Sequence, residues 1–273
     1  MSESVISIYC FVDDFLKEIV HKQEYCNRKC GDAVVLTTAL VAARYFYGNQ
    51  AAAMLYMQEK QGIKMLEKSA FNRRLHQSAQ TLEMMFYYLA DFFKHLNLSQ
   101  EYIIASFPVA VCDNIRICRS KMVKGEQYRG KIASKRRFFY GFRVQVVVNK
   151  QGQPVQFFIL PGAYVDVTAF QMMHLNLPEG SELYADSGYT DYELEELYAE
   201  CEKIELKVQR KSNSKRPDKP WEAAYKKMVR QKIEQTFSQI TAHFPKKIHA
   251  VTQNGFLIKI VLFLLAYAME HYR

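Results

Sequence analysis

FRVQVVVNKQGQPVQFFIL, residues Phe142 to Leu160, decides the architecture of the larger part of this chain. Apolar and polar side chains alternate from Phe142 to Asn149 around Val144, Val146 and Val148, which is the period of a strand. Lys150-Gln151-Gly152-Gln153 is turn chemistry, and Val155 to Leu160 is a second strand-length apolar run. The pair predicts an antiparallel hairpin.

Upstream, Tyr102-Ile103-Ile104 leads into Ala105-Ser106-Phe107-Pro108, a short strand that the proline should end. Between it and the hairpin lies the basic stretch KMVKGEQYRGKIASKRRFFYG. Downstream, a short helix is expected over Asp166 to Leu175, then a strand at Leu183-Tyr184-Ala185 that closes on Asp186-Ser187-Gly188. Thr190 to Glu193 has the form of a capping box opening the next helix. Ile204 to Val208 predicts a fifth strand. The basic loop QRKSNSKRPDKP then leads into a long helix starting near Trp221. Strand, hairpin, helix, strand, helix, strand, long helix is the order of a mixed α/β layer fold.

The first hundred residues read differently. They contain no proline, and apolar positions recur at helical spacing through Val34 to Phe46 and Leu82 to Phe93. Between those helices, Ser69 can cap a short helix carrying Arg73, Arg74 and His76. Adjacent arginines on such a helix suit a phosphate or base-edge reader of helix-turn-helix type near 69–77, or simply a solvated basic face. The change of pattern places a boundary near Leu98 to Gln100, giving an all-helical domain over 1–99 and an α/β domain over 100–273.

Composition narrows the function classes. Hydrophobic residues are 49% and charged residues 24%, an ordinary globular balance. Lys and Arg exceed Asp and Glu by 37 to 28, so polyanionic partners are favoured. Cysteines at 10, 26, 30, 112, 118 and 201 form no regular framework and suit reduced thiols. Cys26 and Cys30 lack the second pair that a zinc site needs. The amino-terminal MSESVISIYCFVDDF lacks the basic start and long apolar core of a signal peptide. Phe256 to Ala268, interrupted by Lys259, is shorter than the roughly 20 apolar residues of a membrane span and predicts a buried helix. No membrane partner is expected, and the basic loops lack the amphipathic basic helix that binds a membrane surface.

Phosphodiester transfer uses carboxylates from separate elements to hold two divalent cations about 4 Å apart. Asp186, directly after an apolar strand, suits a strand-end ligand; an aspartate before glycine is also common turn chemistry. On the long helix, Tyr225, Val229, Ile233, Phe237, Ile240 and Phe244 form the buried stripe. Glu234 lies roughly 100° off it, able to face a neighbouring strand. Arg230 shares its face one turn earlier, so a surface ion pair is the plain alternative.

Three blocks, IIASFPVAVCDNIRI, ADSGY at Ala185 to Tyr189 and RQKIEQTF at Arg230 to Phe237, resemble in order the signature blocks of bacterial insertion-sequence transposases of the Asp-Asp-Glu (DDE) class. The likeness is greatest to the IS nine-eighty-two branch and includes SAFNRRLHQ in the helical part. The resemblance implies an RNase H-like catalytic domain with two Mg²⁺ or Mn²⁺ ions, Asp186 as second metal ligand and Glu234 as third. It implies a helical domain that recognises terminal inverted repeats and a homodimer or larger synaptic complex acting on double-stranded DNA in the bacterial cytoplasm. It also implies an aspartate immediately before Ser106-Phe107-Pro108, where this chain has Ala105. Loss of a ligand that holds the metal itself should disable catalysis. Asp113, eight residues downstream (113 − 105 = 8), is a poor substitute. An otherwise intact chain suits a substitution that traps uncleaved DNA better than decay of the element.

DNA contacts are expected from Arg73 and Arg74, from Lys131, Lys135, Arg136 and Arg137, from Arg210, Lys211, Lys215 and Arg216, and from Arg230. Tyr128, Tyr140 and Trp221 could stack on an unpaired base, although Trp221 fits better as the start of the buried stripe. The rivals are a metal-dependent nuclease of the same fold, which cuts but never joins, and a non-catalytic DNA-binding protein.

Overall fold

The computed structural model describes residues 2–21, 30–113, 120–132, 137–211 and 213–272. From the amino terminus come α1 (Ser2–Glu18), α2 (Asp32–Tyr45), α3 (Gln50–Gln61), α4 (Lys68–Gln77) and α5 (Ala79–Leu96). Then follow β1 (Glu101–Asp113), β2 (Arg129–Ile132), β3 (Arg137–Asn149), β4 (Pro154–Pro161), α6 (Asp166–Met172), β5 (Glu182–Ala185), α7 (Tyr192–Leu197) and β6 (Glu205–Val208). The chain ends in α8 (Pro220–Ala242) and α9 (Gln253–Glu270).

Two compact units result, one of Met1–Leu89 with Ile240–Arg273 and one of Ala90–Gln239. The carboxy-terminal segment therefore groups with the amino-terminal helices, and the second unit ends near 239 where the sequence suggested 273. The cause is apolarity on every face. Helix α2, DAVVLTTALVAARY, is buried almost all round, and so is α9 from Phe256 to Met269. A helix apolar on all sides must be covered on all sides; α2 packs against α1, α3, α4 and α9. Ion pairs from Glu270 to Arg44 (3.4 Å) and to His243 (3.3 Å) hold the end of α9 in place. Helix α9 is the one described helix long and apolar enough to cross a membrane, and 67% of it is buried here.

In this helical unit α4 begins one residue before Ser69, its N-cap Glu67 making no side-chain cap. Arg74 pairs with the buried Asp32 at the start of α2 and donates to the Cys30 carbonyl (2.5 Å). Arg74 thus ties two helices together, while Arg73 is exposed.

The second unit is a mixed sheet flanked by helices, in the order β2-β3-β1-β5-β6 with β4 also on β3. β1, β3 and β4 are antiparallel neighbours; β1, β5 and β6 run parallel. This is an RNase H-like arrangement. The hairpin forms as its alternation requires, with Gly152 at φ +87° in the turn. Its polar positions do not face water: Gln145 and Asn149 are buried, and Gln145 donates to the Asp166 carbonyl. Pro108 does not end β1. Beyond Ile103 the strand has no β5 partner, so it tolerates a residue without an N–H on that side. The helix after Asp186 is capped by Asp191, whose side chain accepts from the Leu194 N–H, rather than by Thr190.

Candidate active site

The functional geometry starts with β1 and β5, parallel neighbours in the register Ile103↔Tyr184. Continuing that register by two residues sets position 105 level with 186. Asp186 immediately follows β5, and its carboxylate accepts the Ser187 N–H at 2.6 Å, capping the single 3-10 turn Ser187–Tyr189. This capping fixes the carboxylate at the strand end. Behind it Tyr189 is buried against Phe170 of α6, and burial pushes its phenol pKa well above the ordinary value.

Helix α8 lies on the sheet face that carries Ala105 and Phe107. Alternation puts these two side chains together, and the Phe107 and Phe237 rings meet edge to face at 6.1 Å. Val229 and Phe237 are buried as the stripe requires. Trp221 is 67% exposed and does not belong to that stripe. Glu234, off the stripe, faces a small cavity of about 120 Å³ whose walls include Ala105, Asp186 and Gln209. Three positions separated by long stretches of chain thus converge on one space.

Arg230 bridges the two acids. Its Nε donates to Glu234 Oε1 at 3.2 Å, and its Nη1 reaches Asp186 Oδ1 at 3.4 Å and Gln209 Oε1 at 3.2 Å. All three charged side chains are about half exposed or more. Such pairs are worth about 1 kcal/mol or less, so this bridge is easily displaced by a stronger cation.

The residues present do not fit a pair of divalent ions. Two carboxylates and one amide side chain line the cavity together with the cations Arg230, Lys207 and Lys226, and position 105 contributes only a methyl group. Among the described residues no three His, Cys, Asp or Glu side chains are grouped to hold a metal. Asp113 lies at the far end of β1, opposite Phe139, roughly 26 Å along the strand from position 105 at about 3.3 Å per residue.

On the opposite face, Ser106, Arg143 and Asp166 form a network the sequence did not reveal. Ser106 Oγ donates to Asp166 Oδ1 at 2.5 Å and Arg143 Nη1 donates to the same oxygen at 3.0 Å. It ties β1, which carries position 105, and β3 to the first turn of α6. Gln209 was likewise missed, because a glutamine after a strand carries no pattern.

The basic positions divide. Lys131, Arg137, Lys211, Lys215 and Arg216 are exposed, Arg216 pairing with Glu196. Arg210 is only 10% exposed, pairs with Glu195 and lies over the Tyr192 ring, so it fastens its loop to α7. Lys135 and Arg136 fall outside the described residues. Tyr128 and Tyr140 are buried and pack edge to face, so they belong to the core and offer no stacking surface.

An RNase H-like sheet with one acid at the end of β5 and another on α8, both beside the central strand, has the layout of a polynucleotide-processing domain. A family model described as "Transposase DDE domain" matches residues 97–249, more than half of the chain, and the chain belongs to that family. No curated protein and no solved structure matches.

Proposed function

We propose that the chain is a DNA transposase that binds the terminal inverted repeats of its element, with cleavage and joining disabled by the alanine at position 105. The supporting observation is the convergence of positions 105, 186 and 234 on one cavity in a member of the DDE family. Transposases of this family generally use divalent metals, and an acid at 105 would complete the carboxylate set for Mg²⁺ or Mn²⁺. The reaction then expected is hydrolysis of a phosphodiester at each transposon end, freeing a 3′-hydroxyl that attacks target DNA.

As the sequence stands, the chain's own residues bind and orient DNA without cutting it. Arg230 keeps Asp186 and Glu234 together. Exposed Arg73, Lys131, Arg137, Lys211, Lys215 and Arg216 offer cations to backbone phosphates. Two ends must be held at once, so the working form is a dimer or larger synaptic complex.

The test is a binding series over KCl concentration with a duplex taken from the inverted repeats flanking the gene and a scrambled control. About six phosphate contacts predict that log affinity falls with log salt at a slope near −5, with the repeat bound more tightly than the control. Absence of binding at about 50 mM salt, or a flat salt dependence, would sink the proposal. Ala105 itself favours a second reading, a DNA-binding protein with no latent activity. It predicts the same binding and no gain of cleavage when the acid is restored. A nuclease that never joins strands would give cut ends without transfer products.

A further inference from the structure

The helical unit contains a cavity of about 410 Å³, within the size range of small-ligand sites, that none of the sequence motifs indicated. Its walls carry cations and no carboxylate. Lys259, the charge that interrupts the apolar run of α9, is part-buried there, and its ammonium donates to the His249 carbonyl. No acid among the described residues pairs with it, and burial lowers its pKa. Lys68, at the start of α4, is exposed on another wall. Two unneutralised cations facing one space call for an anion.

The rim adds an aromatic surface. Tyr47 lines the cavity, is 69% exposed, and has a left-handed backbone at φ +50°. A bulky aromatic residue rarely adopts that conformation, and such strain concentrates at binding sites. Gly48 follows at φ +78°, and a Cβ there would come within 2.8 Å of the Phe263 ring. Glycine is thus required for the loop to close on α9 and hold Tyr47 at the mouth. Gln50 and Asn72 also line the cavity. An exposed ring, two cations without an acid partner and two amide-bearing residues together match the three parts of a nucleotide: base face, phosphate and base edge.

We infer that this pocket takes a single nucleotide unit extruded from a DNA strand, its base against Tyr47 and its phosphate between Lys68 and Lys259. The inference rests on DNA as the partner but is independent of position 105. A free deoxynucleotide shares the same chemistry and is the other source.

The test uses the full chain and fluorescence anisotropy with a labelled 20-base-pair duplex, either fully paired or carrying one unpaired adenosine, and with dAMP as a third probe. Base stacking on one aromatic ring predicts about tenfold tighter binding of the bulged duplex. That ratio should fall to about one in Tyr47→Asn, since asparagine tolerates the left-handed backbone, and in Lys259→Met, which keeps the aliphatic stem. Tyr47→Phe should retain it, which separates loss of the ring from loss of the fold. Binding of dAMP that both substitutions abolish, without any bulge preference, would identify the free nucleotide as the source. No bulge preference together with no dAMP binding, or a preference that survives both substitutions, overturns the inference. Failure of the paired duplex alone to bind would count against the transposase reading and leave the pocket's ligand chemistry standing.

Discussion

Ala105→Asp is expected to raise nicking and joining of end-bearing plasmid DNA by about 10²–10⁴-fold in Mg²⁺ or Mn²⁺. Position 105 lies two residues past Ile103, the last residue paired with β5, which sets it level with Asp186 just beyond that strand's end, and it lines the same cavity as Glu234. Aspartate adds only a carboxylate, three heavy atoms, to the alanine side chain, and a space of about 120 Å³ admits it without overpacking. It supplies a third acid where the chain has two, and metal stabilisation of the transition state is worth several kcal/mol, with each 1.36 kcal/mol a factor of ten in rate. Of the cavity's cations, Lys207 and Lys226 already pair with Glu205 and Asp218, and the exposed ion pairs of Arg230 are too weak to keep a divalent ion out. Asp186→Asn or Glu234→Gln in the restored chain should each remove the gain. If the restored chain cuts no better than the original while both bind the end, the non-catalytic reading replaces the disabled-enzyme one.

Gly141→Ala should cost about 3 kcal/mol or more and lower the melting temperature by roughly 6–12 °C, read by calorimetry or circular dichroism. The residue lies in β3 opposite the irregularity at Ala110/Cys112 of β1. A methyl group there would come within 2.3 Å of the Val109 carbonyl oxygen and 2.8 Å of the Val111 nitrogen. Both are backbone atoms of the neighbouring strand, so relief requires prising β1 from β3, the pair that carries position 105. Gly188→Ala is the contrast. Its methyl would meet only the Asp166 side chain, Oδ2 at an ordinary 3.5 Å and Cβ at 3.9 Å, and its backbone is not left-handed. That substitution should change stability by about 0.5 kcal/mol or less. Equal melting temperatures for the two variants would contradict the packing described for the central strands.

Local chemistry made some of this structure legible in the sequence. The hairpin could be read because Val144, Val146 and Val148 alternate around a glycine turn, and β5 because an apolar run stops at Asp186. Strand β2 escaped notice because Arg-Gly-Lys-Ile has no apolar period; its pairing with Arg137 to Tyr140 is tertiary. The destination of α9 was also hidden. A helix apolar on every face announces burial but does not specify the core, and here that core is α2. Basic residues were the least legible: Arg73 and Arg74 are adjacent in sequence, yet one is exposed and the other pairs with a buried aspartate. Tyr128, Tyr140 and Trp221 all lie near basic loops, but the tyrosines, in a 3-10 turn and on β3, pack into the core while the tryptophan, in the first turn of α8, is exposed. By local pattern the candidate acids were two ordinary carboxylates, and only the likeness of the three sequence blocks singled them out. Their convergence with position 105 depends on a parallel pairing between strands far apart in the chain, which no local pattern encodes.

The most direct test of a metal site broken at position 105 is a Mn²⁺ titration by electron paramagnetic resonance. It would be run on the chain and on Ala105→Asp, each bound to a DNA duplex. Two bound ions per Ala105→Asp chain, at most one per original chain, and loss of both when Asp186→Asn is added is the expected result. Equal numbers of bound ions with and without the aspartate would contradict it and remove position 105 from the site.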